Sequence, residues 1–285
     1  MIIDVIPFDI SIDNSWLSYF IKDDITSQIS IWSVVEIPFK NMVVFWVVSK
    51  MNAEINQNDW DVKSIVSIIC STPILSEYQI DCIYKLSSRY FINIHKVMSV
   101  FLPKFIYTSL EKKSFMDLKR PVSIPRLVSS GEKILFYCNK TDVFEKIVEL
   151  IDENIWTAIV FPTDFMLNDF LDIHDDIKDK SIIYKNSLSY TKKYKAFIEA
   201  YNRTKNIIIW TRKILAYNLE AYRKIVYVED IFVKYLYSYN HKYKNLDLLE
   251  NIANSWNFQI NILGKIPSVD LMYKTWKKEY KLVNT

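Results

Sequence analysis

Glycine is nearly missing from this chain of 285 residues, in which only Gly131 and Gly264 occur. Average globular proteins have glycine at about 7% of positions. Glycine adopts positive φ angles without strain and lets the backbone approach a ligand closely, and most phosphate-binding loops depend on both properties. The sequence contains no G-x-G-x-x-G, G-x-x-x-x-G-K-[ST] or G-x-S-x-G motif. Any nucleotide site in this protein has to be built without the usual glycine-rich loop.

Length and composition predict a folded protein with one large domain or two of ordinary size. Half of the residues are hydrophobic and the net charge is +3, which permits binding to polyanions without requiring it. The three cysteines and three histidines are widely spaced, so we expect neither a metal site nor a disulfide framework. No signal peptide and no membrane-spanning apolar run is visible, which predicts a cytoplasmic protein without membrane contact.

The first hundred residues are rich in β-branched and aromatic side chains. These runs predict strands over 30–39 and 41–49, and a strand or short helix at the end of 60–70. Apolar residues at helical spacing predict a helix over 76–102, which Pro103 ends. We therefore expect a β-rich α+β domain over residues 1–105.

A linker is predicted over 106–130, where basic residues accompany two prolines. Beyond it, short apolar strands are predicted at 133–137, 157–161, 206–210, 224–228 and 259–263. Helices are predicted between them at 141–152, 191–202 and 246–255. This alternation predicts an α/β domain over 131–285, with a mainly parallel sheet covered on both faces.

Several segments of the first domain have the order and spacing of one protein family. They are V-V-E-I-P-F at 34–39, V-K-S-I at 62–65 with T-P-I-L at 72–75, and a helix with Leu86 and Tyr90 that ends at Pro103. They resemble the N-terminal domain of primosomal protein N′, the replication-restart DNA helicase family of bacteria. In that family this domain binds the 3′ end of a DNA strand.

Segments of the second domain continue the resemblance in the same order. They are K-T-D-V-F at 140–144, W-T-R-K at 210–213, V-E-D-I at 228–231 and L-G-K-I-P-S at 263–268. They are similar to the family's K-T-E-V-Y, G-T-R-S, D-E-E-H and L-G-S-A-T-P-S motifs. The resemblance implies a RecA-like domain of the P-loop NTPase type, namely the first helicase lobe.

The resemblance also implies roles for individual residues. Tyr19, Lys63 and Arg212 correspond to positions that contact DNA, whereas Ser18 replaces the aspartate that contacts the terminal sugar in the family.

Nucleotide binding is implied for Lys140, Thr141 and Asp230, and Glu229 takes the place of the residue that orients the attacking water.

Departures from the family argue against ATP hydrolysis. Only the four residues 136–139, none of them glycine, precede Lys140 in the place of a longer glycine-rich loop. Val228 replaces the metal-binding aspartate, and the second lobe with its arginine has no counterpart. We therefore expect a non-enzymatic protein without a cofactor. The alternative is an ATP-dependent 3′–5′ helicase fragment that needs a second lobe and uses ATP with Mg²⁺.

Basic residues interleaved with aromatic ones predict contact with nucleic acid. Lys192, Lys193 and Lys195 surround Tyr194, and the run at 235–244 reads Y-L-Y-S-Y-N-H-K-Y-K. Stacking and phosphate neutralisation together are typical of proteins that bind single strands. We predict single-stranded or forked DNA as the partner, with primosome proteins as a second class. The competing interpretations are solvated helix faces produced by compositional bias, and a primosome scaffold without DNA contact.

Glycine positions of the resembled family hold other residues here. Trp32, Trp46 and Trp210 stand at such positions, as does Lys40 after the P-F pair. Two explanations remain for the tryptophans: they are ordinary core residues of a divergent sequence, or a stop codon that the organism decodes as glycine was translated as tryptophan. TGG codons at these positions would refute the second explanation.

Overall fold

The computed structural model describes residues 1–7, 17–53, 62–102, 106, 131–137, 140–211, 219, 221–229, 237–238 and 241–284. The chain divides into two compact units, Met1–Arg120 and Pro121–Thr285. Apart from Ile106, the predicted linker lies outside the described residues.

The first unit is built on an antiparallel sheet of five strands in the order β2-β1-β4-β3-β5. The strands are β1 (Ile2–Pro7), β2 (Leu17–Phe20), β3 (Val34–Phe39), β4 (Met42–Met51) and β5 (Ser67–Cys70), with a 3₁₀ helix at Asp23–Gln28. Alternation along the strands places Val35 opposite Trp46 in one core, where both are fully buried. The predicted β-rich first domain is confirmed.

Two helices, α1 (Glu77–Tyr90) and α2 (Ile94–Phe101), replace the single helix predicted over 76–102. Ser76 and Gln79 form a capping box at the start of α1, and Phe91 ends the helix in the left-handed conformation with φ of +52°. The apolar periodicity continues across this break because both helices bury one face. It could not reveal the break, since Phe91 stands where helices usually end in glycine.

The second unit contains a sheet of seven strands, all paired in parallel, in the order β14-β6-β13-β10-β7-β9-β8. The strands are β6 (Lys133–Tyr137), β7 (Thr157–Phe161), β8 (Ser181–Tyr184), β9 (Ile207–Thr211), β10 (Lys224–Val228), β13 (Gln259–Gly264) and β14 (Lys281–Asn284). A separate two-stranded ribbon pairs β11 (Tyr237–Ser238) with β12 (His241–Lys244). Every residue of β7, β9 and β10 is buried, as expected for central strands of a parallel sheet.

Six helices of the second unit belong to the described residues. They are α3 (Lys140–Leu150), α4 (Asp164–Ile173), α5 (Asp175–Lys180), α6 (Tyr190–Tyr201), α7 (Asn245–Trp256) and α8 (Val269–Trp276). The core joins α3, α4 and the central strands, with Phe144, Phe161 and Phe170 in mutual ring contact. The predicted α/β class with a mainly parallel sheet is confirmed.

The two glycines differ in the room that a side chain would have, which is too little at Gly131 and enough for ordinary contact at Gly264. Gly131 has φ of +59°, and a Cβ on it would lie 2.1 Å from Asn257 Oδ1. A Cβ on Gly264 would lie 3.4 Å from the Cβ of Glu229. The chain has thus kept glycine at two places where another residue would displace its surroundings or cover a buried carboxylate.

Other left-handed positions are filled by residues that have a Cβ. In the described residues they are Trp32, Lys40, Asn52, Phe91, Arg203, Asn257 and Lys278. This conformation costs an L-amino acid about 1–2 kcal/mol. The positive φ angles of Trp32 and Lys40 agree with the glycine that the resembled family has there. By contrast, Trp46 and Trp210 are fully buried.

We predict that Lys40→Gly raises the free energy of unfolding of the first unit by about 0.5–1 kcal/mol, because it removes left-handed strain in the β3–β4 turn. Urea denaturation provides the measurement. Lys50→Gly is the matched control: Lys50 is an equally exposed lysine inside β4, where glycine is expected to lower stability. Equal effects of both substitutions would contradict the strain at Lys40.

Candidate nucleic-acid interface and nucleotide edge

The parallel sheet brings the predicted motifs of the second unit to one edge. β6 ends at Tyr137, three positions before Lys140, and β9 ends at Thr211. β10 ends directly before Glu229, and β13 ends at Gly264. The carboxyl ends of parallel strands share one edge, which is where open α/β sheets bind ligands. β13 lies between β6 and β10, so these two strands are roughly 10 Å apart.

The connection that precedes Lys140 is short. β6 ends at Tyr137 and α3 begins at Lys140, so that only two residues, Cys138 and Asn139, join the strand to the helix. The backbone of Lys140 and Thr141 therefore forms the first turn of α3. Their side chains, and the predicted site residues Asp230 and Arg212, lie outside the described residues.

Glu229 follows β10 and is held from two sides. Its backbone N–H donates to the carbonyl of Leu263 at 2.7 Å, and its carboxylate lies beside Gly264. Its Oε2 atom is buried and has no hydrogen-bond partner among the described residues. Burial raises the pKa of Glu229, the side chain and backbone of Ser268 lower it only in part, and the charge of Asp270 raises it further.

A polar cluster that the sequence analysis did not predict lies farther along the same edge. The Asp164 carboxylate accepts hydrogen bonds from the Thr211 hydroxyl at 2.6 Å and from the N–H groups of Asn186 at 3.1 Å and Ser187 at 2.9 Å. Burial alone would raise the pKa of Asp164, but these donors lower it on balance. The Asp164 charge, after burial, helps to raise the pKa of Tyr184 to about 12.

This cluster fixes the position of Thr211, which belongs to the W-T-R-K motif. Asp164 opens α4 directly after its N-cap, Thr163, whose hydroxyl accepts the N–H of Met166. A sequence signal was available, since T-D after an apolar strand is typical of a helix N-terminus. The pairing with Thr211 depends on strand order and could not be inferred from local sequence.

The three predicted lysines of α6 have different surroundings. Lys192 is exposed, and Lys195 is mostly exposed at 3.8 Å from Glu199. Lys193 turns back toward the β8–α6 loop, where its Nζ donates to the carbonyl of Asn186 at 2.7 Å and lies 5.9 Å from the ring centroid of Tyr190. Lys192 and Lys195 are three positions apart and share one helix face. The predicted cluster is thus divided: Lys192 and Lys195 lie on that exposed face, whereas Lys193 contacts the loop before α6.

In the first unit, the structure brings Lys63 beside β2. The Phe20 N–H donates to the Lys63 carbonyl at 2.9 Å, and the Ile65 N–H donates to the Phe20 carbonyl at 3.0 Å. Residues 63–65 therefore extend the sheet next to Tyr19, while Lys63 itself is exposed.

Tyr19 and Ser18 face opposite sides of the sheet. Tyr19 is buried, its hydroxyl donates to the Pro38 carbonyl at 3.1 Å, and its ring contacts Trp46 edge-on. A buried ring is not available for stacking on a base. In this structure Tyr19 contributes to the packing of the sheet through Pro38 and Trp46. The Ser18 hydroxyl donates to Asp4 Oδ1 at 2.7 Å.

Neither a metal site nor a membrane-spanning helix occurs in the described part of the chain. No group of three or more metal-ligating side chains lies close enough together to hold an ion there. None of the helices described has both the length and the apolar character needed to cross a bilayer.

A family model matches the first unit over residues 6–103. It is the PriA model described as 3'DNA-binding domain (3'BD), and PriA is primosomal protein N′. Residues 6–103 are thus similar to a PriA-type 3′ DNA-binding domain. The resemblance predicted from sequence is therefore confirmed for this part of the chain. Comparison with curated proteins gave no match.

Solved structures similar to the chain include helicase-type domains. The C-terminal domain of the DEAD-box protein Dbp5 aligns with a TM-score of 0.38 and 10% identity over 55% of this chain and 91% of that one. The Saccharomyces cerevisiae Dbp5 C-terminal domain bound to Gle1 and IP6 gives 0.37 and 9% over 54% and 89%. The DUF1998 helicase MrfA gives 0.34 and 16% over 74% and 33%. These scores are low, and the fold assignment rests on the sheet topology.

We predict that Glu229→Gln raises the melting temperature, and that the gain grows between about pH 4 and pH 7. A carboxyl group whose pKa is raised by folding stabilises the folded state below its ordinary pKa of 4.5, and this contribution is lost as pH rises through the folded-state pKa. Glutamine keeps the shape without the buried charge. Thermal unfolding across this range is the measurement, with Glu279→Gln at an exposed position as control. A constant difference would contradict the buried charge.

The opposite pH dependence is expected for Asp164→Asn. The pKa of Asp164 is lowered by folding, so its contribution is present above its ordinary value of 3.8 and is lost as pH falls through the folded-state pKa. Loss of charge-assisted bonds should cost about 1–2 kcal/mol at neutral pH. Urea denaturation at neutral and acid pH tests this, with the exposed Asp172→Asn on the same helix as control. A cost that persists unchanged in acid would speak against the ionised network.

Proposed function

We propose that this protein binds DNA through its first unit and acts in replication restart or DNA repair, without hydrolysing ATP. One observation carries the proposal: in the region that matches the PriA 3′ DNA-binding model, Lys63 is exposed and lies beside β2. Lysine neutralises phosphate as a point charge, which contributes affinity without sequence preference.

The preference for a free strand end is expected to be weak. In the family an aspartate contacts the terminal sugar, and Ser18 stands at that position. The Ser18 hydroxyl donates to Asp4 Oδ1 at 2.7 Å, so its proton is already used. Ser18 can therefore only accept a hydrogen bond from a sugar hydroxyl. Internal single strands and forks should therefore bind about as well as exposed 3′ ends.

The geometry at the carboxyl ends of β6 and β10, where a nucleotide would bind, supports a protein that does not hydrolyse ATP. A phosphate loop surrounds the nucleotide with successive backbone N–H groups, and the two-residue connection from β6 to α3 leaves few of them outside the helix. Val228 is buried in β10 at the position of the metal-binding aspartate. Glu229 remains, but in surroundings that favour its neutral form, which is a poor orienting group for water.

A second basic surface in the other unit is compatible with this function. Lys192 and Lys195 lie exposed on one face of α6, and their charges would add to the salt dependence of DNA binding. We propose primosome proteins as a second class of partner, and the charge of these surfaces does not favour them over DNA.

We predict that Lys63→Ala lowers the affinity for a forked DNA roughly three- to tenfold at moderate salt and reduces the salt slope by about one. Fluorescence anisotropy at several salt concentrations is the measurement. Lys96→Ala serves as the matched control, because it removes an exposed lysine from α2 of the same unit. If Lys63→Ala binds as tightly as the wild type at low salt, Lys63 is not a DNA contact.

We also predict that forked DNA produces no increase in ATP hydrolysis, and that ATP leaves DNA affinity unchanged. A coupled phosphate-release assay with and without DNA measures this. DNA-stimulated hydrolysis would instead support the helicase fragment that needs a second lobe. If the protein neither binds DNA nor hydrolyses ATP, the primosome scaffold becomes the remaining interpretation.

A further inference from the structure

The helix α8 exposes an aromatic and apolar face, here called the α8 face, that the motifs do not explain. Its members are Val269, Met272, Tyr273 and Trp276, with exposed fractions of 85%, 45%, 56% and 74%. They follow the i, i+3, i+4, i+7 spacing of one helix face. Large apolar side chains of soluble proteins are usually buried when they lie next to one another. An exposed group of them is therefore typical of a surface that binds a ligand or partner.

The opposite side of α8 fixes the helix to the second unit. Leu271 is fully buried, and the Ser268 hydroxyl caps the helix by accepting the Leu271 N–H at 3.4 Å. Lys274 forms an ion pair with Glu250 of α7, whose other carboxylate oxygen accepts the hydroxyl of Tyr280 at 2.6 Å. The buried side of α8 thus packs on the second unit, and the α8 face is the side that points away from it.

Two rings of the α8 face form a pair beneath a lysine. The Tyr273 and Trp276 ring centroids are 5.8 Å apart with an interplanar angle of 39°, and the Lys277 Nζ lies 5.5 Å and 5.2 Å from them. Flat aromatic surfaces next to a cation are the chemistry that binds an unpaired base and its phosphate.

Positive charge is concentrated around this face. Residues 265–282 contain five lysines and two acidic residues, a net charge of +3, which equals that of the whole chain. Lys265, Lys277 and Lys278 have no acidic partner within ion-pair distance among the residues that the structure describes. The combination of exposed rings and unneutralised lysines favours a polyanion with exposed planar groups over an apolar protein surface.

We propose that the α8 face is a binding site for single-stranded nucleic acid. Bases stack on Tyr273 and Trp276, while Lys265, Lys277 and Lys278 neutralise neighbouring phosphates. Duplex DNA keeps its bases stacked on one another and offers only its phosphates to this site. The site belongs to the second unit and is independent of the Lys63 contact in the first.

The test uses the full chain and fluorescein-labelled (dT)20. The double variant Tyr273→Ala/Trp276→Ala is expected to lower the affinity at least tenfold, because each base stacked on an aromatic ring contributes about 1–3 kcal/mol. The salt slope should stay unchanged, since the lost contacts are uncharged. Binding to a blunt duplex of the same length should change much less. Lys277→Ala/Lys278→Ala should instead reduce the slope by about 1.4, since each of two phosphate contacts on a single strand contributes about 0.7.

Three comparisons make the outcome specific. Phe165→Ala removes a similarly exposed ring from α4 of the same unit and should leave (dT)20 binding unchanged. Trp276→Phe keeps a stacking ring and should restore most of the affinity that Trp276→Ala loses. Circular dichroism and melting temperature of each variant distinguish a lost site from a lost fold.

The outcomes for the two units are distinguishable. If Tyr273→Ala/Trp276→Ala binds (dT)20 like the wild type, the α8 proposal is overturned, whatever Lys63→Ala does. If the double variant loses affinity while Lys63→Ala does not, the α8 face binds single strands and the DNA contact proposed for the first unit fails.

Discussion

The scarcity of glycine limits where this backbone can turn tightly. Seven described residues with a Cβ adopt positive φ angles, among them Lys40 in a strand turn and Phe91 between two helices. Each such position costs about 1–2 kcal/mol that glycine would not, and buried rings such as Trp46 and Trp210 have to offset that cost. Turns tolerate this exchange because they need only one left-handed residue. A phosphate loop needs several consecutive N–H groups directed at one anion, and a Cβ interferes with that approach.

The sheet does not depend on that loop. Parallel pairing and burial hold β7, β9 and β10, whose side chains are buried along their whole length. For this reason the α/β class could be predicted from sequence, and the apolar runs at 133–137 and 224–228 coincide with the strands of the structure. The strand β8, the helix α8 and the edge strand β14 were not predicted. β8 and β14 have only four residues each and lie at the two ends of the sheet, and α8 has eight residues, so their apolar patterns are too short to identify.

The site could be predicted only in part, for a related reason. The motifs that contain Lys140, Thr211 and Glu229 could be identified from sequence, and the parallel sheet brings them to the same end of its strands. Sequence could not show that Tyr19 is buried with its hydroxyl on the Pro38 carbonyl, because a tyrosine in an alternating strand faces either side according to register. Nor could it show that Asp164 accepts the Thr211 hydroxyl, since 47 residues separate them and strand order decides their proximity.

Nucleotide turnover and nucleic-acid binding make unequal demands on a fold of this kind. Turnover requires a phosphate loop, a metal-binding acid and a water-orienting base within a few ångströms of one another, so the loss of any one of them is enough to prevent it. Binding requires charges and rings on the outside of stable elements, and each contact adds its own part. Lys63 beside β2 and the ring pair on α8 depend on different strands and helices. A fold of this kind can therefore keep surface contacts for nucleic acid even where its nucleotide site is incomplete.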